Sequence, residues 1–344
     1  MIYNTPIDKI QLGIVGLGRL GRKHAENIRF RIPQAKLQAA CSLIPQELEW
    51  AERELQPSYC TSKYEDLLQD KELDGIVIAT NSAYHCSMIC AAAEAGIQHL
   101  FCEKPLGMNQ KEIDRIQDTV SRSKVRFLQI GFNRRFDPSL RIMKEKIDTG
   151  ALGKLVLLKF TNRDPSWKAE DLLRFSPTSG GLVFDMLSHD YDLARWLSGS
   201  DAEQVYGMGG VYGYAGLEEL KDWDNCTLLL RLRSGVMVFM ETSRTSSSGY
   251  QVEVEAFGTE GAVRMGVLPT QNRLLHYNTG RLSQDTVSNF FEYWEPTFLA
   301  ELTHFVQCVR EGTQPLVGLE DGYKAVQWAL AATEAVRTGR EQVL

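Results

Sequence analysis

Residues 179–197 hold side chains whose types and spacing suit chemistry. Asp185, His189 and Asp192 stand at i, i+4 and i+7, and a helix turning about 100° per residue brings them nearly into line. Leu182, Val183, Phe184, Met186, Leu187, Leu193 and Leu197 crowd the flanks, so the spacing predicts a mostly buried helix with a carboxylate and an imidazole on one face. An imidazole of ordinary pKa, about 6.5, is a general base near neutral pH; here a carboxylate would orient it, and Gly180 and Gly181 would let a substrate approach the helix start. The competing reading is a satisfied core histidine on a helix whose acids favour its positive N-terminus. A third group is Lys104, in Glu103-Lys104-Pro105 after an apolar run. Its ammonium would stabilise alkoxide character on a substrate oxygen as a hydride leaves, unless it is a loop lysine paired with Glu103. Pro105 is a candidate for a cis bond that re-aims this loop. Asp192, one turn deeper and beside Arg195 at i+3, reads as structural.

The elements that must position these groups start at residues 10–16, a short apolar strand that runs into Gly16-Leu17-Gly18-Arg19-Leu20-Gly21 and then a helix pattern. Strand, Gly-x-Gly-x-x-Gly and helix in that order form a dinucleotide cradle: Gly16 for the tight turn, Gly18 for approach of a pyrophosphate, Gly21 for close packing, with Arg19 and Leu20 in the same loop. Further strands are predicted at 36–43, 73–80, 98–102 and 125–131, alternating with helical segments at 46–55, 63–68, from after His85 to 95, and 109–121, which gives a doubly wound parallel sheet. Ligands collect at the carboxyl ends of such strands, where Ser42, Thr80, Asn81, His85, Glu103, Lys104, Asn133 and Arg134 all fall. His85 either contacts the cofactor or caps the next helix. An acid about twenty residues beyond the glycines usually holds the NAD ribose. Here Ser42 stands there, no acid precedes Glu47, and the cations within reach are Arg19 and Arg22, so NAD and NADP both stay open.

With 344 residues, 43% hydrophobic and 24% charged, the chain is of two-domain length and ordinary globular composition. A net charge of -6 gives no reason to expect nucleic acid or an anionic membrane as partner. Residues 1–8 resemble neither an n-region nor an h-region, and no run of 18 apolar residues follows, so a cytoplasmic protein is expected. Seven cysteines without a Cys-x-x-Cys pair read as free thiols in a reducing compartment. Cys86 and Cys90 are helically spaced, but no histidine cluster completes a metal site, and none is expected.

The domain boundary is expected near Arg134, giving a dinucleotide-binding domain over 1–133 and a substrate-binding and oligomerisation domain over 134–344. A helix at 138–149 leads to a strand at 154–161 and a turn at 162–165, whose Asp164 either reaches substrate hydroxyls or is solvated. Strand patterns follow at 204–212, 226–233, 236–244, 250–257 and 262–265, then helices at 292–311 and 319–338. The alternation in Gln251-Val252-Glu253-Val254-Glu255-Ala256 predicts a sheet with one face on helices and one face free, and a second copy of the chain is expected to cover it in a dimer or tetramer. Phe290, Phe291, Tyr293 and Trp294 read as core.

Taken together, residues 16–21, Glu103-Lys104-Pro105 and Asp185-x-x-x-His189-Asp190 resemble the glucose-fructose oxidoreductase, inositol dehydrogenase and rhizopine-catabolism family (Gfo/Idh/MocA) over nearly the whole chain. The runs 131–137 and 180–193 are similar to its inositol dehydrogenase branch. The resemblance implies a Rossmann domain followed by an α/β domain with a large, open, mainly antiparallel sheet. It implies a catalytic trio carried over to Lys104, Asp185 and His189, with Arg134 and Asn133 at the substrate. The implied activity is NAD(P)-dependent oxidation of a secondary hydroxyl on a cyclic polyol or related sugar, with NAD as the cofactor and NADP not excluded. Asn133 stands where the inositol dehydrogenases usually show Met, and Ser42 replaces the acid common in NAD users. An NAD-dependent glycosidase of the same fold, or a nucleotide-binding regulator that would lack the trio, are the alternatives.

Overall fold

Short, almost wholly apolar runs build the first sheet of the computed structural model, which describes residues 9–266 and 274–344. Strands β1 (Ile10–Val15), β2 (Ala35–Cys41), β3 (Tyr59–Thr61), β4 (Gly75–Ile78), β5 (His99–Cys102) and β6 (Phe127–Ile130) are all parallel, in the order β3-β2-β1-β4-β5-β6. Helices α1 (Arg19–Glu26), α2 (Pro45–Trp50), α3 (Tyr64–Gln69), α4 (His85–Glu94) and α5 (Gln110–Ser121) connect them. The expected doubly wound sheet is present with six strands instead of five. The added strand, Tyr59–Thr61, is an edge strand of three half-buried residues, too short for an alternation signal.

The chain divides into two compact units, Met1–Asn133 with Thr297–Tyr323, and Arg134–Pro296 with Lys324–Leu344. The first unit therefore recruits a late segment: Leu302, Phe305 and Val306 pack into one buried cluster with Leu12, Ile14, Ala25, Leu37 and Phe101. Those residues belong to α10 (Phe290–Glu311), which, like α11 (Leu319–Thr338), passes from one unit to the other.

The second unit holds α6 (Pro138–Asp148), β7 (Leu155–Pro165), α7 (Ala169–Ser179), α8 (Gly181–Asp185), α9 (Ser188–Ser198), β8 (Ala202–Gly210), β9 (Asn225–Leu232), β10 (Met237–Ser246), β11 (Gln251–Gly258) and β12 (Ala262–Met265). A hairpin of β13 (His276–Asn278) and β14 (Arg281–Ser283) and a final β15 (Gln342–Val343) complete the described strands. The seven-stranded sheet runs β12-β11-β7-β10-β9-β8-β15, antiparallel except between β7 and β10. One face of it is buried, with Leu158, Phe160, Leu228, Leu230, Met240 and Val254 inside.

Two expectations are corrected. Residues 162–165 form strand, because β7 is paired on both sides: Asn162 lies opposite Thr242 and Val252, and Arg163 opposite Ser243 and Gln251. Pairing on both edges outweighs the turn preference of Asn-Arg-Asp-Pro. The helix expected over 179–197 is three pieces. Gly180 and Gly181 both lie at φ +83°, and a further break at Met186 and Leu187 separates α8 from α9.

Candidate active site

The nucleotide cradle has the form its glycines require. Gly16 lies at φ +90°, and a Cβ there would stand 2.6 Å from the Ala79 carbonyl oxygen; one at Gly21 would stand 2.0 Å from the Gly16 carbonyl oxygen. A Cβ at Gly18 would meet nothing within 4 Å, so the approach to the N-terminus of α1 is open. Arg19 is exposed and Leu20 half-buried beside it. The reversal of strand order falls between β1 and β4, which brings the Thr80 loop beside the glycines. Asn81 caps that loop, its Oδ1 accepting from Ala83 N at 3.0 Å. At the end of β2, Ser42 Oγ donates to Glu47 Oε2 at 2.6 Å. A carboxylate thus stands beside Ser42 after all, delivered from the first turn of α2. Arg22 is engaged elsewhere: its Nε donates to Leu17 O at 3.2 Å and its guanidinium lies 4.6 Å from the Trp50 ring centroid.

His85 serves as a clamp between two loops. Its Nδ1 lies 2.7 Å from Pro105 O, and its Nε2 3.2 Å from Thr80 O. Burial lowers its pKa, and the contacts with the Pro105 and Thr80 carbonyls act against that shift. The Lys104–Pro105 peptide is cis, as the sequence suggested. Lys104 is half-buried, and its backbone N–H donates to Glu103 Oε2 at 3.3 Å. Glu103 is buried, and its Oε1 lies 2.6 Å from His24 Nε2.

In the second unit the break between α8 and α9 separates Asp185 from His189. Three hydrogen bonds hold it. Asn162 Nδ2 donates to Met186 O at 3.0 Å, taking the carbonyl that a continuous helix would have used; Ser188 Oγ donates to Asp185 O at 2.7 Å; Tyr191 Oη donates to Val183 O at 3.0 Å. Both Asp185 and His189 are half-buried. Arg244, on β10, is fully buried; its Nη2 donates to Asp185 Oδ2 at 3.0 Å, and its guanidinium lies 5.8 Å and 5.5 Å from the ring centroids of Trp167 and Phe175. Arg244 therefore fixes the orientation of the Asp185 carboxylate. Sequence reading passed over it, since an arginine among strand residues carries no local signal.

Other predicted residues have structural partners. Arg134 is 3% exposed; its Nη1 donates to Asp190 Oδ1 at 2.7 Å, and its guanidinium lies 5.3 Å from the Trp294 ring centroid. Asn133 is 2% exposed and donates to Thr297 Oγ1 at 2.7 Å. Asp164 is half-buried near the end of β7. Asp192 is buried against Arg135, at 2.5 Å and 2.8 Å, while Arg195 donates to Asp201 at 2.8 Å. The room expected for a substrate at Gly181 is filled: a Cβ there would stand 2.6 Å from Asp222 Oδ1, which accepts from Leu182 N at 2.9 Å. Trp294 is core, as expected, with its indole N–H donating to Tyr250 Oη at 2.6 Å.

Comparison with known proteins gives these sites a family. Residues 10–132 match an oxidoreductase family described by its NAD-binding Rossmann fold, and residues 140–264 match the GFO/IDH/MocA C-terminal domain. The chain is 35% identical to a Bacillus subtilis protein described as uncharacterized oxidoreductase YrbE, over 96% of this chain and 95% of that one. It is 33% identical to the solved myo-inositol 2-dehydrogenase of Lactobacillus plantarum, with a TM-score of 0.93, covering 98% of this chain and 99% of that one. It is also 33% identical to the scyllo-inositol dehydrogenase of Lactobacillus casei, solved with NAD(H) and scyllo-inositol, with a TM-score of 0.92 over 97% and 99%. An open cradle over Gly18, a doubly wound sheet and an apolar-backed antiparallel sheet agree with those matches, and the chain belongs to the GFO/IDH/MocA family of NAD-binding oxidoreductases.

Proposed function

We propose that this chain oxidises a secondary hydroxyl of an inositol, or of a closely related cyclic polyol, with NAD. The observation that carries the reading is that Lys104, Asp185 and His189 are all present in a chain 33% identical, over almost its full length, to inositol dehydrogenases of both the myo and scyllo type. Bound NAD supplies the hydride acceptor. His189 accepts the proton of the reacting hydroxyl, and Asp185, fixed by Arg244, orients that hydroxyl or the imidazole. Lys104 stabilises alkoxide character on the same oxygen. Arg134 and Asn133, turned onto Asp190 and Thr297, act as supports for the substrate and not as its main contacts. Glu47 beside Ser42 favours NAD, because its carboxylate repels a 2′-phosphate.

The free face of the second sheet supports self-association into a dimer or tetramer. Leu229 is opposite Tyr206 on one side and Phe239 on the other, and Leu157 lies between Met237 and Phe257, so apolar side chains form rows across neighbouring strands. Tyr206, Met208, Leu229, Met237 and Phe257 are exposed in the single chain. The seven free cysteines fit a reducing compartment, and the cytoplasm is the proposed location. Among the described residues no helix is long and apolar enough to cross a membrane.

Incubation with NAD and a panel of inositols is expected to give net NADH; release of sugar from a glycoside without net NADH would replace this reading with the glycosidase one. Lys104→Ala and His189→Ala should each lower turnover by ~10² to 10⁴ with NAD binding retained, and wild-type turnover in both would refute the assignment. Arg244→Leu should lower kcat about as far as Asp185→Ala does, and the double variant should add little, as for groups acting as one unit; independent, additive losses would show that Arg244 does not act through Asp185. For assembly, Leu229→Lys should shift the sedimentation coefficient to that of a monomer. An unchanged oligomer would place the interface elsewhere.

A further inference from the structure

The first unit buries an ionisable cluster that the proposed chemistry does not use. His24 on α1, Glu103 at the end of β5 and Glu301 on α10 bring their nitrogen and oxygen atoms within 4.8 Å of one another. His24 and Glu301 are fully buried, and Glu103 is 6% exposed. Two aromatic rings flank the imidazole: Phe101 and Phe298 meet the His24 ring edge-on, at centroid distances of 5.4 Å and 6.1 Å. Neither carboxylate oxygen of Glu301 has a hydrogen-bond donor. Its backbone is anchored, with Gln129 Nε2 donating to Glu301 O at 2.9 Å.

Two buried carboxylates and one buried imidazole cannot all carry charge. Glu103 has counter-groups, the His24 ring and the Lys104 backbone N–H. An ionised Glu301 would have none, and an uncompensated buried carboxylate costs several kcal/mol. Burial and the Glu103 charge both push its pKa well above the ordinary carboxyl range. By donor type the three groups would also suit a cation. The His24–Glu103 separation of 2.6 Å is hydrogen-bond distance, shorter than the roughly 3.3 Å between ligands each about 2 Å from a tetrahedral zinc ion.

We propose that Glu301 is a neutral carboxylic acid that, together with His24, fixes the Glu103 carboxylate, and that this buried cluster is the positioning device for Lys104. Glu103 transmits the constraint in two ways. Its Oε2 receives the N–H of Lys104, and its carboxylate fills the space over Gly131, where a Cβ would stand 2.7 Å from Oε2. A helix from the last fifth of the chain thereby sets the loop that carries the proposed cation. The inference rests on the role given above to Lys104, but its first test does not.

The infrared difference spectrum of wild-type protein minus Glu301→Gln, taken without substrate, should show the carbonyl band of a protonated carboxylic acid. Absence of that band means an ionised Glu301 and overturns the proposal, whatever Lys104 does. In turnover, Glu301→Gln, which keeps a neutral hydrogen-bonding group, should retain kcat within about threefold, whereas Glu301→Leu should lose about ten- to a hundredfold with the KM for NAD little changed, as for a misplaced catalytic group. Wild-type kcat in a folded Glu301→Leu protein would overturn the positioning role. If the Leu variant does not fold, the Gln variant decides: a loss of kcat beyond tenfold there contradicts the neutral-acid assignment.

Discussion

A buried carboxylate must find cationic or hydrogen-bonding partners, and Asp190 meets that requirement in a way that sets the geometry of the second unit. It accepts from Arg134 at 2.7 Å and lies 3.3 Å from Asn162 Nδ2. The same Asn162 amide takes the Met186 carbonyl, which the helix break has released. One acid therefore ties the start of the unit, the inner strand β7 and the turn between α8 and α9 into a single buried network. Asp192 repeats the device two residues on by pairing with Arg135. Consecutive arginines from 134–135 and alternate acids from α9 thus pin the helix against the chain that leads into it. The break they hold decides where Asp185 and His189 point.

Arg244 follows the same logic from the other side. A guanidinium with no solvent exposure needs a counter-charge, and Asp185 provides it, so packing β10 against α8 orients the carboxylate without any flexible element. The first unit uses carboxylates comparably: Glu103 is fixed by His24, and Glu47 by Ser42. Asp185 and Lys104 each lie next to a buried polar partner that has no role in the reaction itself.

Much of this was legible in the sequence where the signal is local. The run from Ile10 to Gly21 announces strand, turn and helix within a dozen residues, and the glycine contacts follow from it. The cis bond before Pro105 and the burial of Asp192 were also accessible from short motifs. The α8–α9 break was not, because residues 182–197 satisfy a helical period throughout, and the break is imposed by Asn162, which reading by turn preference had placed in a loop. Arg244 and Asp222 act on partners 59 and 40 positions away, and Glu301 reaches its cluster only because α10 returns to the first unit. Periodicity reports which face of an element is apolar. It does not report which distant polar group will satisfy it.

The central claim is that a hydride leaves a ring carbon of the polyol and arrives directly on the cofactor. Inositol deuterated at every ring carbon, incubated with the wild-type protein and NAD, tests it by mass spectrometry of the reduced cofactor. The account predicts NADH carrying a single deuterium at C4 of the nicotinamide ring. NADH formed without deuterium, or deuterated inositol consumed with no reduced cofactor, would contradict it.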